Sequence, residues 1–265
     1  MTGSARPAGF LESHLRERRD GGARLLVPYV TGGLGPRWTE VLAAMAAAGA
    51  DAVEIGIPFS DPVMDGPTIQ AASQRALELG ATPAAIVAAL PAAGAQVPLV
   101  AMTYYNSVFR AGHRRFAASL RAGGVSGANI PDVPLEELGP WEAAAATQDV
   151  ETVLLASPVT PDDRLAQICA RSHGFVYGVS VMGTTGERDS LAASAATMAK
   201  RLKAHTDKPV LLGVGVSTPA HAVEACATAD GVIVGSALMR LLLDGAPPEQ
   251  VGDAVAALRA ALDAG

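Results

Sequence analysis

A chain of 265 residues that is 49% hydrophobic, with mean hydropathy +0.27, buries a full core and is too apolar for a disordered segment. A net charge of −6 gives no basic footprint for nucleic acid, yet leaves room for an anionic ligand on a local backbone site. No apolar run reaches the roughly 18–20 residues of a membrane span, and the N-terminal MTGSARPAGFLESHLRERR lacks the apolar stretch of a secretory signal. A soluble cytoplasmic protein is expected. Cys169 and Cys226 fall in helical patterns and read as buried free thiols, a disulfide being the alternative.

Short apolar segments alternate with longer Ala-rich ones along the whole chain. In order, the pattern predicts a strand over 25–31, a helix over 37–48, and a strand over 52–56. A helix over 83–93, a strand over 97–103 and a helix over 114–122 follow. Next come a strand over 127–130, a helix over 135–147, a strand over 152–156 and a helix over 162–172. The pattern continues with a strand over 174–180, a helix over 191–205, a strand over 209–215 and a helix over 218–227. A strand over 231–235, a short helix over 237–243 and a helix over 248–262 end it. Ser217, before Thr218-Pro219, reads as a helix N-cap. Most strands are apolar throughout, as parallel strands covered on both faces are. Eight such units close into one (β/α)8 TIM barrel over residues 1–265, with extra short helices. The rival open sheet would show a glycine-rich dinucleotide loop after its first strand, and TGGLGP does not fit that pattern.

In a barrel the chemistry sits at the C-terminal ends of the strands. Strand 7 ends in Gly213-Val214-Gly215 and strand 8 in Gly235-Ser236, each running into a helix. Bare backbone N–H groups at two neighbouring helix N-termini suit a phosphate; the plainer reading is tight turns. Glu54 lies between Val53 and Ile55, where a carboxylate is costly unless it reaches the active face or pairs with a cation. The Pro/Gly-rich loop behind it carries Asp61 and Asp65, as functional groups or as caps of a turn or of a helix near Thr68. The lysines Lys200, Lys203 and Lys208 fall on a helix or at the bottom of the barrel, away from any site for a Schiff base. The five histidines lack metal-ligand spacing, so no metal is expected. What remains is carboxylate acid–base chemistry on a phosphorylated substrate that supplies its own electron sink.

The segment VEIGIPFSDPVMDGPTIQ closely resembles the signature of tryptophan synthase alpha subunits. LVPYVTGG, MTYYN, IPDVPLEE, YGVSVMGTTG, GVGVS and GVIVGSALM follow in the order that family has them. The resemblance implies a lyase that cleaves indole-3-glycerol phosphate by a retro-aldol reaction, with no cofactor in this chain. It implies catalytic roles for Glu54 and Asp65, and Tyr177 near the substrate, against the alternative of a core aromatic. It places phosphate contacts at Gly186, Gly215, Gly235 and Ser236, with Gly213 in the same loop. Tyr29, Tyr104 and Leu155 match apolar positions that enclose the indole. Thr185 matches a loop threonine that meets the catalytic aspartate on closure, against the alternative of an exposed loop residue. The Met182–Ser190 stretch reads as a lid.

The resemblance also implies a beta subunit carrying pyridoxal phosphate, an alpha2beta2 complex, and partner contacts near Pro58–Pro62 and Pro134–Glu137. Two positions depart from the family. Gly33-Leu34-Gly35-Pro36 lacks the acidic residue of a Gly-Asp-Pro run, which bears on the partner contact. Gly178 replaces an aromatic, which is expected to loosen the wall under the lid. The alternatives are another phosphate-sugar barrel enzyme, a stand-alone lyase working without a partner, and a non-catalytic phosphate-binding barrel.

Overall fold

Eight apolar runs become eight parallel strands, each hydrogen-bonded to the next in sequence, and the eighth closes on the first. They are β1 (Leu25–Thr31), β2 (Val53–Gly56), β3 (Leu99–Met102), β4 (Val125–Asn129), β5 (Glu151–Ala156), β6 (Val176–Val179), β7 (Val210–Gly213) and β8 (Gly231–Val234). The structure is a computed structural model and describes residues 8–179, 188–213 and 215–265, the side chains of 188–193 lying outside the described part.

The helices form the outer layer. They are α1 (Phe10–Asp20), α2 (Trp38–Ala47), α3 (Pro67–Glu78), α4 (Pro83–Ala89), α5 (Tyr105–Ala111) and α6 (His113–Ala122). After these come α7 (Gly139–Ala146), α8 (Asp162–Arg171), α9 (Arg188–Lys203), α10 (Pro219–Ala225), α11 (Ser236–Leu243) and α12 (Pro248–Ala264). The closed barrel and its extra helix after β8 are those expected from the sequence. Helices α1 and α5 were not expected, and α3 begins where a helix was expected near Thr68. The helix expected over 83–93 breaks: Pro91 turns its end into a separate 3-10 turn, Leu90–Ala93. The expected N-cap at Ser217 is corrected by one residue. Thr218 accepts the His221 N–H, and Ser217 Oγ sits 3.1 Å from the His221 ring instead.

Side-chain parity builds the interior. Along each strand alternate residues point into the barrel. Leu25, Val27, Ala52, Val100, Val153, Phe175, Leu211 and Ile233 pack together inside it with Leu11 and Leu15 of α1. So α1 plugs the N-terminal mouth. A Cβ at Gly127 or Gly174 would come within 2.6 Å of the Leu11 side chain, so both glycines make room for the plug. Glu151, at the start of β5, accepts the N–H groups of Leu11 at 2.7 Å and Glu12 at 3.1 Å, and so caps α1 from the barrel wall. Lys208 Nζ bonds the carbonyls of Cys169 and Ser172 at this same bottom end. Cys169 and Cys226 are free and buried. No single described helix is long and apolar enough to cross a membrane.

With the lower mouth closed, the C-terminal mouth is left open. The residues one parity step above the interior layer are Tyr29, Glu54, Asn129, Tyr177 and Gly213, two positions beyond Val27, Ala52, Gly127, Phe175 and Leu211. The strand register sets Tyr29 beside Glu54.

Candidate active site

Those residues form the floor of a cavity of about 330 Å³ at the C-terminal mouth. Tyr29, Glu54, Asn129, Leu155, Tyr177, Gly213, Gly215, Gly235 and Ser236 line it, together with Asp65 from the loop after β2. Of the residues expected at the site, Thr185 and Gly186 lie outside the described residues, as does the expected lid up to residue 187, α9 beginning at Arg188. Tyr104, expected at an apolar position around the indole, has a further part: its hydroxyl donates to Asp65 Oδ2 at 2.9 Å and accepts the Met64 N–H at 3.0 Å. Phe59 stacks on its ring at 5.0 Å between centroids. The Tyr104 hydroxyl therefore fixes the aspartate.

The two carboxylates differ in setting. Glu54 is 2% exposed. Burial pushes its carboxyl up to about 7, the Asn129 amide opposes the rise, and the charge of Asp65 adds to it. Asp65 is less enclosed; burial pushes it up to about 6, against the Tyr104 hydrogen bond. Between these two values the commonest form of the site has Glu54 protonated beside ionised Asp65. That is the arrangement for one proton donor and one anion. Tyr29, buried, and Tyr177, half-buried, stand beside these acids and have their phenols pushed well above the usual range, mainly by desolvation, and stay neutral.

The other end of the cavity is backbone. A Cβ at Gly213 would come within 2.6 Å of the Tyr177 hydroxyl, so this glycine lets the tyrosine reach the floor. Gly215 has φ +67°, a backbone that disfavours side chains. Gly235 precedes α11 as its N-cap and Ser236 is its first residue, so a helix N-terminus opens on the cavity. Between acids and glycines the walls are apolar, from Ile69, Met102, Leu155, Val179 and Ile233. The site is therefore graded: acids on one side, grease in the middle, bare N–H groups on the other.

Sequence reasoning missed Asn129. It is 1% exposed and its Nδ2 donates to Glu54 Oε1 at 3.2 Å. Strand parity was the signal, since Asn129 stands two residues past Gly127 on the inward face of β4. The lid whose wall Gly178 was expected to loosen lies, up to residue 187, outside the described residues. A Cβ at Gly178 would meet Leu212 at 2.7 Å and Leu202 at 3.2 Å, so apolar neighbours already occupy the space. Leu34, where an acidic residue was looked for, is buried in the main core.

Fold and cavity together define a (β/α)8 barrel whose C-terminal mouth gathers two carboxylates, apolar walls and a glycine-bearing helix N-terminus in one cavity. The comparisons narrow this class. The chain belongs to the tryptophan synthase alpha chain family, whose model matches residues 15–263. It is 44% identical over 246 residues to the tryptophan synthase alpha chain of Chloroflexus aggregans, covering 91% of this chain and 92% of the relative. It is 40% identical over 265 residues to that of Thermobifida fusca, covering 96% and 98%. Among solved structures, tryptophan synthase of Mycobacterium tuberculosis superposes with a TM-score of 0.87 at 36% identity, over 97% of this chain and 99% of that one. The alpha subunit from Legionella pneumophila gives 0.88 at 27% identity, over 97% and 100%.

Proposed function

We propose that Glu54 and Asp65 carry the lyase reaction of this family member, the cleavage of indole-3-glycerol phosphate to indole and glyceraldehyde 3-phosphate late in L-tryptophan biosynthesis. The observation that supports it best is the pair of carboxylates in one cavity, one poised near 7 and the other near 6. The substrate's phosphate rests on the glycine side, at Gly213, Gly215, Gly235 and Ser236, and its indole lies across the apolar walls towards the acids. Thr185 and Gly186 complete this reading from the segment after β6.

Protonated Glu54 delivers its proton to C3 of the indole, and the positive charge spreads to the ring nitrogen. Asp65, ionised, accepts the ring N–H and stabilises that charge. The Glu54 carboxylate then takes the proton of the hydroxyl on the neighbouring carbon. The oxygen electrons form the aldehyde, the C–C bond breaks, and its electron pair returns to the ring as the C2–C3 double bond. Glu54 ends protonated, ready for another cycle. Tyr177 and Tyr29, neutral, close the floor against water.

Glu54→Gln tests this directly. Loss of a general acid–base typically costs about 10²–10⁴ in rate, and one group serving both steps puts the loss at the upper end. Affinity for glyceraldehyde 3-phosphate should stay within about threefold, because that affinity comes from glycine N–H groups. An E54Q enzyme turning over at more than a tenth of the wild-type rate would refute the assignment.

The family implies a beta-subunit partner. We place its docking surface on the C-terminal mouth, where Val63, Met64, Phe109 and Val159 are exposed large apolar side chains on segments following β2, β3 and β5. Pro58–Pro62 and Pro134–Glu137 border that surface. Assembly as alpha2beta2, with pyridoxal phosphate in the partner that consumes indole, fits the release of a small apolar product. Val63 and Met64 adjoin Asp65, so docking reaches the aspartate through its own loop. Mixing purified subunits should accelerate cleavage, since about 1 Å of misplacement can cost about 100-fold. No acceleration at saturating beta subunit would favour a lyase that works alone.

A further inference from the structure

Glu54 has one awkward duty in this mechanism. It must occupy the same place as an acid and as a base. The hydrogen bond to its carboxylate among the described residues comes from Asn129 Nδ2 at 3.2 Å. The other end of the same amide, Oδ1, is buried and has no hydrogen-bond partner among the described residues. A buried acceptor left unpaired is destabilising, so a residue that served only to fill the barrel would be better as an apolar one. Asn129 lies on the inward face of β4, at the floor of the cavity.

The choice of side chain has a chemical reason. A lysine or arginine at this place would only donate, locking Glu54 as carboxylate. A carbonyl would only accept, locking it as the acid. A carboxamide has both functions on nearly superimposable atoms. We infer that Asn129 is a positioning residue for the cleavage reaction: Nδ2 holds Glu54 as the carboxylate, and Oδ1, brought round by a half-turn of the amide, holds it as the protonated acid. The inference rests on the reading of Glu54 as the group that moves the proton.

The other groups near Glu54 do not supply this bond. Asp65, on the loop after β2, acts on it through its charge, and the phenols of Tyr29 on β1 and Tyr177 on β6 are coupled to it only through space. Tyr29 OH is itself the acceptor of Thr31 Oγ1 at 3.4 Å. Asn129 is also the group that opposes the rise in the Glu54 carboxyl caused by burial.

Two variants and one spectrum test this. Asn129→Leu removes donor and acceptor at similar volume, and Asn129→Asp keeps the shape while adding a like charge. In N129D the alkaline limb of the kcat/KM profile should move to higher pH, because a neighbouring carboxylate disfavours ionisation, and in N129L it should move less, because the lost amide stabilised both forms. In N129L kcat should fall about tenfold or more, with affinity for glyceraldehyde 3-phosphate and melting temperature near wild type. In wild-type enzyme labelled with 15N-asparagine, the Asn129 side-chain NH2 signal, assigned by its loss in N129L, should titrate with the midpoint of that limb. It should stay flat in E54Q. An N129L enzyme with wild-type kcat, or a flat NH2 signal in wild type, overturns the inference. An active E54Q enzyme instead overturns the reading of Glu54, so the two failures are told apart.

Discussion

Tyr104→Phe removes one oxygen and leaves the ring on Phe59, so it isolates the hydrogen bond to Asp65. A hydrogen bond to a charged group contributes about 1.5–3 kcal/mol. At 1.36 kcal/mol per unit, its loss should raise the Asp65 carboxyl by about one to two units. The sign follows from the bond itself, which favours the ionised form and now opposes the rise caused by burial. The active form needs Asp65 ionised, at about 6, and Glu54 protonated, at about 7. For independent sites that form peaks midway, near pH 6.5, at roughly 0.6 of the enzyme. Raising Asp65 by one unit makes the two values coincide, and the peak falls to about 0.25 near pH 7; two units reduce it to about 0.06 near pH 7.5. The expected Y104F phenotype is thus an optimum moved up by about 0.5–1 unit and a maximal kcat/KM lowered about 2- to 10-fold. Raising the pH cannot rescue it, because Glu54 loses its proton first. The assay is kcat/KM for indole-3-glycerol phosphate cleavage between pH 5 and 9. An unchanged optimum with full activity would mean that Tyr104 does not set the charge of Asp65.

Two other substitutions probe parts of the barrel that the chemistry relies on. Gly213→Ala would drive a methyl to within 2.6 Å of the Tyr177 hydroxyl on the cavity floor. Overpacking of this kind costs about 1–3 kcal/mol. A lower melting temperature should accompany a raised KM, with kcat less affected, since the displaced backbone belongs to the phosphate end; wild-type melting and KM would contradict it. Glu151→Ala leaves the Leu11 and Glu12 N–H groups without their acceptor. Each unpaired buried donor costs about 1–3 kcal/mol, so α1 should undock. Limited proteolysis should then cut within residues 8–20 before the barrel opens, and uniform resistance equal to wild type would show that the cap is dispensable.

Repetition made the barrel legible. Eight apolar runs at regular spacing leave few alternatives once each is separated by a helix. The helices that escaped notice, α1 and α5, did so for different reasons. In α1, Leu11 and Leu15 stand four apart and are fully buried, but six charged residues share the helix with them and mask the apolar pair. In α3, by contrast, Ile69, Ala72, Ser73 and Ala76 carry the helical spacing with Pro67 at the start, so a helix near Thr68 was legible behind the catalytic loop. No local signal marks α5. Its first free N–H, that of Tyr105, is capped at 2.8 Å by Asp132, which comes from the loop after β4. A cap supplied by another strand is invisible to any window along the chain.

The site divides along the same line. Glu54 and Asp65 stand out as carboxylates because each is out of place in its segment, and the glycines because two strand ends share them. What a residue does through a neighbour on another strand is not written locally. Tyr104 looks like one more apolar wall until the fold brings its hydroxyl to Asp65, 39 positions away. Asn129 looks like a polar interruption in GANI until the barrel sets it against Glu54, 75 positions away. Both act on the proton affinity of an acid rather than on the ligand. In each case the opposing effect is burial, which the barrel imposes on both carboxyls. The fold thus raises the two acids together, and the partners on β4 and after β3 restrain each one separately. Glu54 stays above Asp65 because it is the more deeply enclosed and feels the aspartate's charge, while Asp65 has a phenol to stabilise its anion. Reversing that order would leave Glu54 ionised where it must donate and Asp65 neutral where it must carry charge, with every residue still in place.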